Sequence, residues 1–252
     1  MTDAAMAARV AEVRERLDHV TDPELDEPVT DLGFVTGIAV SPTGAVSIGF
    51  RLPTYWCAAN FAFMMADDMR REVAALPWVS SVRVTLGEHM YADTINAGLA
   101  EGRGFADSFG DAADGDLDAL RRTFAVKAFQ RRQEALLRHL LDAGIAPAAF
   151  TRTQLAALPL DAVGALLRDR YLERRDLAGD DDSAFVTAEG APVTAESLPA
   201  YLSLLRRVGL NVAFNATLCR GLLAARFNEP PPDGEPTLLD FARMPARATA
   251  SP

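Results

Sequence analysis

Phe34-Val35-Thr36-Gly37-Ile38-Ala39-Val40, then Ser41-Pro42-Thr43-Gly44, then Ala45-Val46-Ser47-Ile48-Gly49-Phe50-Arg51-Leu52 is the stretch whose reading decides the fold. Its outer runs are rich in β-branched and aromatic residues, and the Pro- and Gly-bearing link between them reads as a hairpin turn. Pro53 ends the second strand. Upstream, residues 5–18 repeat apolar positions at helical spacing, with Met6, Val10, Val13 and Leu17 on one face. Asp22-Pro23-Glu24 cannot continue that helix, because proline biases the residue before it away from the helical region. Downstream, residues 58–76 read as a second helix stopped by Pro77. Residues 79–86 read as a third strand, with Val82, Val84 and Leu86 alternating against polar neighbours. Helix, strand, strand, helix, strand is the order of an α+β two-layer domain, one sheet carrying two helices on one face.

The rest of the chain reads as helical. Residues 87–115 are rich in Gly and acid, with short helices expected. A long helix over 117–143 is predicted from Leu117, Leu120, Phe124, Phe129, Leu136, Leu137, Leu140 and Leu141, with Gly144 as its left-handed stop. Thr151-Arg152-Thr153-Gln154 fits a capping box, and Asp161 an N-cap for a helix reaching about 176. Two further helices are expected at 195–208 and 211–227, with a short hairpin near 185–193. The predicted division is an α/β domain at 1–88, an acidic connector at 89–116, a helical domain at 117–228 and an irregular Pro-rich tail at 229–252. Charge follows this division: net −6 over residues 1–88, −5 over 89–116, +4 over 117–176 and −3 beyond.

Composition narrows the function. The 252 residues are 49% hydrophobic and 24% charged, with 25 basic and 35 acidic side chains. A net charge of −10 argues against general nucleic-acid binding. No unbroken apolar run approaches eighteen residues, which argues against a membrane-spanning helix, and no secretory signal is visible at the N-terminus. The two cysteines, Cys57 and Cys219, rule out a disulfide framework and any four-cysteine site within one chain, and they fit a reducing cytosol. Gly102-Arg103-Gly104 lacks the context of a phosphate loop, and neither a Gly-x-Ser-x-Gly elbow nor a His-Glu-x-x-His motif occurs. Hydrolase and nucleotide-driven chemistry therefore has no support, and the chain is expected not to be an enzyme.

Cys57 falls between a strand and a helix, in Leu52-Pro53-Thr54-Tyr55-Trp56-Cys57-Ala58. A thiol near a helix N-terminus meets unpaired N–H groups and the positive end of the macrodipole, which favour the metal-binding, nucleophilic thiolate. A buried small hydrophobe is the alternative role. Asp22 and Glu24, with Asp26, Glu27 and Asp31 behind them, offer hard ligands, or simply a turn. In Glu88-His89-Met90-Tyr91-Ala92-Asp93, His89 and Asp93 are a further pair of candidate ligands. Cys219 falls on the apolar side of its helix with Leu222 and Leu223, where core packing is expected. Arg121, Arg122, Arg131 and Arg132 form a basic face that is solvated or docks an acidic surface.

Taken in order, the first helix, Asp22-Pro23-Glu24-Leu25, Asp31-Leu32-Gly33-Phe34, the hairpin, Thr54 and Cys57, the second helix and the closing strand resemble the SufT/PaaD-like iron–sulfur cluster assembly domain. The resemblance covers about residues 8–88. It implies a small maturation factor that helps place iron or an iron–sulfur cluster into client proteins, with Cys57 and Thr54 at the cofactor and Asp22 and Glu24 as its acidic motif. It also implies transient binding, with missing ligands drawn from a second copy, the client or small thiols, or a metal-free chaperone or adaptor. The family places proline directly after its cysteine where this chain has Ala58, which suggests a specialised client. Long chains of this type resemble accessory proteins of bacterial multicomponent di-iron monooxygenases, which implies a di-iron hydroxylase as client alongside the cluster-assembly machinery.

Overall fold

A computed structural model of the protein describes residues 2–112, 116–154, 157–158, 160–179 and 182–229. The charge boundary expected near 115, two of the three aspartates at 180–182 and residues 230–252 of the expected tail lie outside them. The chain forms two compact units, one of Met1–Leu117 with Phe214–Pro252 and the other of Asp118–Ala213.

The first unit begins with α1 (Asp3–Leu17), whose N-cap Thr2 accepts a hydrogen bond from the amide of Ala5. Strands β1 (Val35–Val40) and β2 (Ala45–Phe50) pair antiparallel, and β2 pairs parallel with β3 (Ser81–Leu86), so β2 is central. The parallel pair needs a crossover, which α2 (Ala59–Ala74) supplies. Gly44 turns the hairpin at φ +86°, a conformation glycine adopts without penalty, and its carbonyl accepts from Ser80 N, tying the turn to the start of β3. Val46, Ile48 and Phe50 of β2, Val13 and Leu17 of α1, and Phe63, Met65, Met69 and Val73 of α2 make the core. This is the architecture that the alternating and helical periodicities predicted. Two short helices follow, α3 (Ala92–Ala100) and α4 (Phe105–Phe109). Asn96 of α3 closes the end of β3, accepting from Leu86 N at 2.8 Å and donating to Leu86 O at 3.0 Å.

The second unit contains most of α5 (Leu117–Asp142), α6 (Pro147–Phe150), α7 (Ala162–Leu172) and the first part of α8 (Leu198–Phe227). Gly144 has φ +75° after α5, and Asp161 caps α7 by accepting from Gly164 N at 2.7 Å, both as predicted. Phe129, Leu136, Leu137, Leu140, Tyr171, Phe185 and Leu205 form its core. Within that core the fully buried Gln133 donates to the Tyr171 hydroxyl and Val186 O and accepts from the Tyr201 hydroxyl, so its amide is satisfied.

Thr151 is the C-cap of α6, the hydroxyls of Thr151 and Thr153 donate back to Pro147 O and Ala149 O, and Ala157 N donates to Gln154 O; the short helix expected after Gln154 falls partly outside the described residues. The short hairpin expected near 185–193 is present: Val186 bridges antiparallel to Pro192, with Val193 N donating to Phe185 O and Thr187 N to Ala191 O around Gly190. Two expectations are corrected. The two helices expected at 195–208 and 211–227 are one, because Gly209 sits inside α8 where its missing side chain leaves room for the Glu134 carboxylate. Arg132 is not on a solvated face: it is buried and bonds Arg170 O at 2.8 Å and the Glu173 carboxylate at 2.6 Å.

The unit boundary also differs from the predicted domains. Residues 214–227 of α8 bury Ala216 and Leu223 in the core of the α/β unit, with Cys219 and Phe227 packed against it. Among the described residues, α8 is also long and apolar enough by length and composition to cross a membrane, which the lack of an unbroken apolar run had argued against.

Candidate functional site

Strands β2 and β3 run parallel, so their carboxyl ends lie side by side, the place where α/β sheets present loops for binding. β2 delivers the loop 51–58 and β3 the loop 87–91, and the two are stitched together by Gly87 N donating to Phe50 O and Met90 N donating to Tyr55 O. Cys57 ends the first loop, immediately before Ala58, the N-cap of α2. It is half-buried, with Sγ 3.1 Å from Thr54 Oγ1. The sequence reading of Cys57 and Thr54 as neighbours at a strand-to-helix junction therefore has its geometric counterpart.

His89 is buried beneath the second loop. Its Nε2 lies 2.8 Å from Cys57 O and its Nδ1 3.2 Å from Tyr91 N. A carbonyl can only accept and an amide only donate, so the ring is the neutral Nε2–H tautomer with both nitrogens engaged. Burial lowers its pKa, the nearby Arg226 charge adds to this, and the Cys57 carbonyl opposes it. His89 thus positions the backbone of Cys57. Asp93 stands exposed in the first turn of α3. In the two loops that flank Cys57, Tyr55 and Trp56 are 52% and 71% exposed, and Met90 and Tyr91 are also exposed, a largely aromatic rim.

The acidic turn is built from backbone hydrogen bonds. Asp22 N donates to Glu27 O, Asp26 N donates to Asp22 O at φ +52°, and Asp22 Oδ1 accepts from Glu24 N at 2.9 Å and Leu25 N at 2.8 Å. Burial pushes the Asp22 carboxyl up to about 6, with Glu24 and Glu27 adding repulsion, against the lowering pull of those two amides. Glu24 accepts from Asn215 Nδ2 at 3.0 Å, and Glu27 pairs with Arg220.

Those partners are what sequence reasoning missed. The end of α8 lies across the site: Leu223 meets Gly33, and Arg226 donates to Leu52 O at 3.1 Å and Glu88 O at 2.6 Å. Arg51 extends the arrangement, donating to Gly33 O, pairing with Glu229 at 2.6 Å and stacking over Phe227. Asn215, Arg220 and Arg226 form no motif, and their only signal was polar residues interrupting an apolar helical stripe. Cys219, expected to pack in the core, is half-buried and packed against the core cluster of this unit, with Asp22, Cys57 and Glu24 as its electrostatic neighbours. Burial chiefly, then those three groups, push its thiol up to about 12. Among the described residues, no three His, Cys, Asp or Glu side chains are grouped so as to hold a metal ion by themselves.

With this geometry the N-terminal third has a class. Residues 10–86 match the family model described as iron–sulfur cluster assembly protein. The particular relatives are proteins named iron–sulfur cluster carrier protein: that of Mycobacterium tuberculosis (strain ATCC 25618 / H37Rv) is 37% identical over 76 residues, 30% of this chain and 19% of the relative. That of Mycobacterium leprae (strain TN) is 32% identical over 85 residues, 34% of this chain and 22% of the relative. The chain thus spans about a fifth of the length of these curated relatives. A crystal structure of the domain of unknown function DUF59 from Bacillus anthracis aligns over 34% of this chain and 80% of that one, at 20% identity and a TM-score of 0.32.

Proposed function

We propose that this protein is a non-catalytic carrier that receives iron or an iron–sulfur cluster in the cytosol and passes it to a client metalloenzyme. The observation that carries this reading is the half-buried Cys57 thiol beside Thr54 at the carboxyl ends of β2 and β3, in a segment that matches a cluster-assembly family. Clusters are normally held by four thiolates. A chain with two cysteines holds its cargo incompletely, and incomplete ligation suits a protein whose task is release. Cys57 binds the cargo, His89 fixes the carbonyl behind it, and Thr54 orients the sulfur. The residues beyond the matched segment select the client, for which a di-iron monooxygenase hydroxylase is our candidate, and the exposed rim of Tyr55, Trp56, Met90 and Tyr91 gives that client a surface beside the thiol.

The test is anaerobic reconstitution of the full chain with iron and sulfide, followed by transfer to an apo acceptor. Visible absorption that appears in the native protein and vanishes in Cys57→Ser, with transfer lost in parallel, is the expected result. Reconstitution and maturation that proceed unchanged in Cys57→Ser overturn the carrier reading. The aromatic rim also favours a metal-free adaptor for an oxygenase subunit, and client binding that persists in Cys57→Ala without any cluster selects it.

A further inference from the structure

We propose that the outer edge of β3 is a docking groove for an extended, acidic peptide segment of a partner protein, which adds to the sheet as a fourth strand. The groove is separate from the Cys57 loop, and the proposal stands whether or not the carrier reading does.

The strand order β1-β2-β3 leaves β3 at an edge, bonded to β2 on one side. Gly87 N donates to Phe50 O, so by the alternation of a parallel ladder residues 83 and 85 face β2, and residues 82, 84 and 86 face outward. Leu86 bears this out, because Asn96 of α3 engages both its N–H and its C=O from that outer side. The Asn96 amide thus stands in for one peptide unit of a missing strand. Val82 and Val84 have no such substitute: their N–H and C=O groups meet no hydrogen-bond partner among the described residues. Outward backbone groups left open in this way are a template for another strand. They give onto a groove of about 320 Å³, lined by β3 itself, by Arg70 of α2 and by Leu99 and Ala100 of α3. That volume lies at the lower end of the range of binding clefts, about 300–1,000 Å³.

Charge selects the occupant. Arg83 is exposed and forms no ion pair among the described residues. Arg70 shares the Asp67 carboxylate with Arg71, and its own Nε is buried without a hydrogen-bond partner. Two guanidinium groups therefore border an open strand edge in a chain of net charge −10, and guanidinium groups pair best with carboxylates. Side chains alternate between the two faces of a strand. Carboxylates of the added strand fall beside Arg83 on the face turned away from the core, and small apolar side chains fall on the face of Leu99 and Ala100. A second copy of this chain fits poorly. Pairing β3 antiparallel with itself through Val82 and Val84 sets the two copies of Arg83 directly opposite each other, and like charges so placed repel.

The test titrates the full chain into a fluorescein-labelled peptide of alternating glutamate and valine, about six residues long, followed by fluorescence anisotropy. Binding is expected for this peptide and not for its lysine–valine counterpart. It should weaken by at least about tenfold in Arg83→Glu, an exposed change that leaves the core untouched. The peptide is also made with each of its two alternate sets of amides N-methylated, and the version blocked on the side facing β3 should not bind. In hydrogen exchange, the amides of Val82 and Val84 should slow when the glutamate peptide is present. No binding of that peptide, or binding that neither N-methylation nor Arg83→Glu weakens, overturns the proposal. Protection of Val82 and Val84 that rises with protein concentration in the absence of peptide also overturns it, since a second copy then holds the edge.

Discussion

Replacing Asp22 by asparagine should remove a pH dependence that the α/β unit carries in its native form. The carboxyl is 9% exposed, and its Oδ1 accepts from two backbone amides that an asparagine Oδ1 can keep. Its ordinary pKa of 3.8 is raised to about 6, chiefly by burial. A group with a higher pKa folded than unfolded stabilises the fold fully below the unfolded value and loses that contribution as pH rises through the folded one. Stability should therefore fall between pH 4 and about 6.5 in the native chain, by about 3 kcal/mol at roughly 1.4 kcal/mol per pKa unit. The asparagine of Asp22→Asn would not titrate. Its new amide N–H groups carry a penalty of about 1–3 kcal/mol if unsatisfied, but that penalty is the same at every pH. The difference in unfolding free energy between variant and native protein should thus move by about 3 kcal/mol in favour of the variant from pH 4 to pH 7. Urea titrations followed by tryptophan fluorescence measure it directly, because the two tryptophans, Trp56 and Trp78, both belong to this unit. A difference that stays constant across the range would refute the argument that a buried carboxyl is being ionised.

Other consequences are simpler to test. Gly44→Ala should destabilise the α/β unit by about 1–3 kcal/mol in the same titration, since φ is +86° and the added carbon would collide with Trp78 O. Leu136→Ala, at a fully buried position in the helical unit, should cost about 2–5 kcal/mol, read from loss of helical circular dichroism with denaturant. Imidazole NMR of His89 should report the Nε2–H tautomer and a titration midpoint below 6.5, following burial and Arg226. The stabilising neutral form should be present above pH 6.5 and lost as pH falls through that midpoint, and a midpoint above 6.5 would contradict the assignment.

The α/β unit was legible in the sequence because its signals are local. Alternation in residues 45–52, helical periodicity in 59–74 and the Pro42–Gly44 turn each act over a few residues, and each agrees with its neighbours. Cys57 and Thr54 were legible for the same reason, lying three residues apart. The role of His89 was not, since its bond to Cys57 O spans 32 positions. The expected break between 208 and 211 does not occur, because Gly209 keeps helical backbone and its lack of a side chain serves close approach to Glu134 inside one helix. The contacts of Asn215 and Arg220 with the acidic turn join residues more than 190 positions apart. No periodicity encodes such a pairing.

The α/β unit is assembled from two distant stretches of one polypeptide, and this bears on how the protein is born. During synthesis residues 1–117 emerge first, with Ala62, Leu99 and the 22–33 turn already able to pack, yet Ala216 and Leu223 are still to be translated. Until residues 214–229 clear the ribosome, the acidic turn lacks Asn215 and Arg220 and the Cys57 loop lacks Arg226. A nascent chain therefore cannot finish the end of its α/β unit that carries Cys57 and the acidic turn before residues 118–213 have been made.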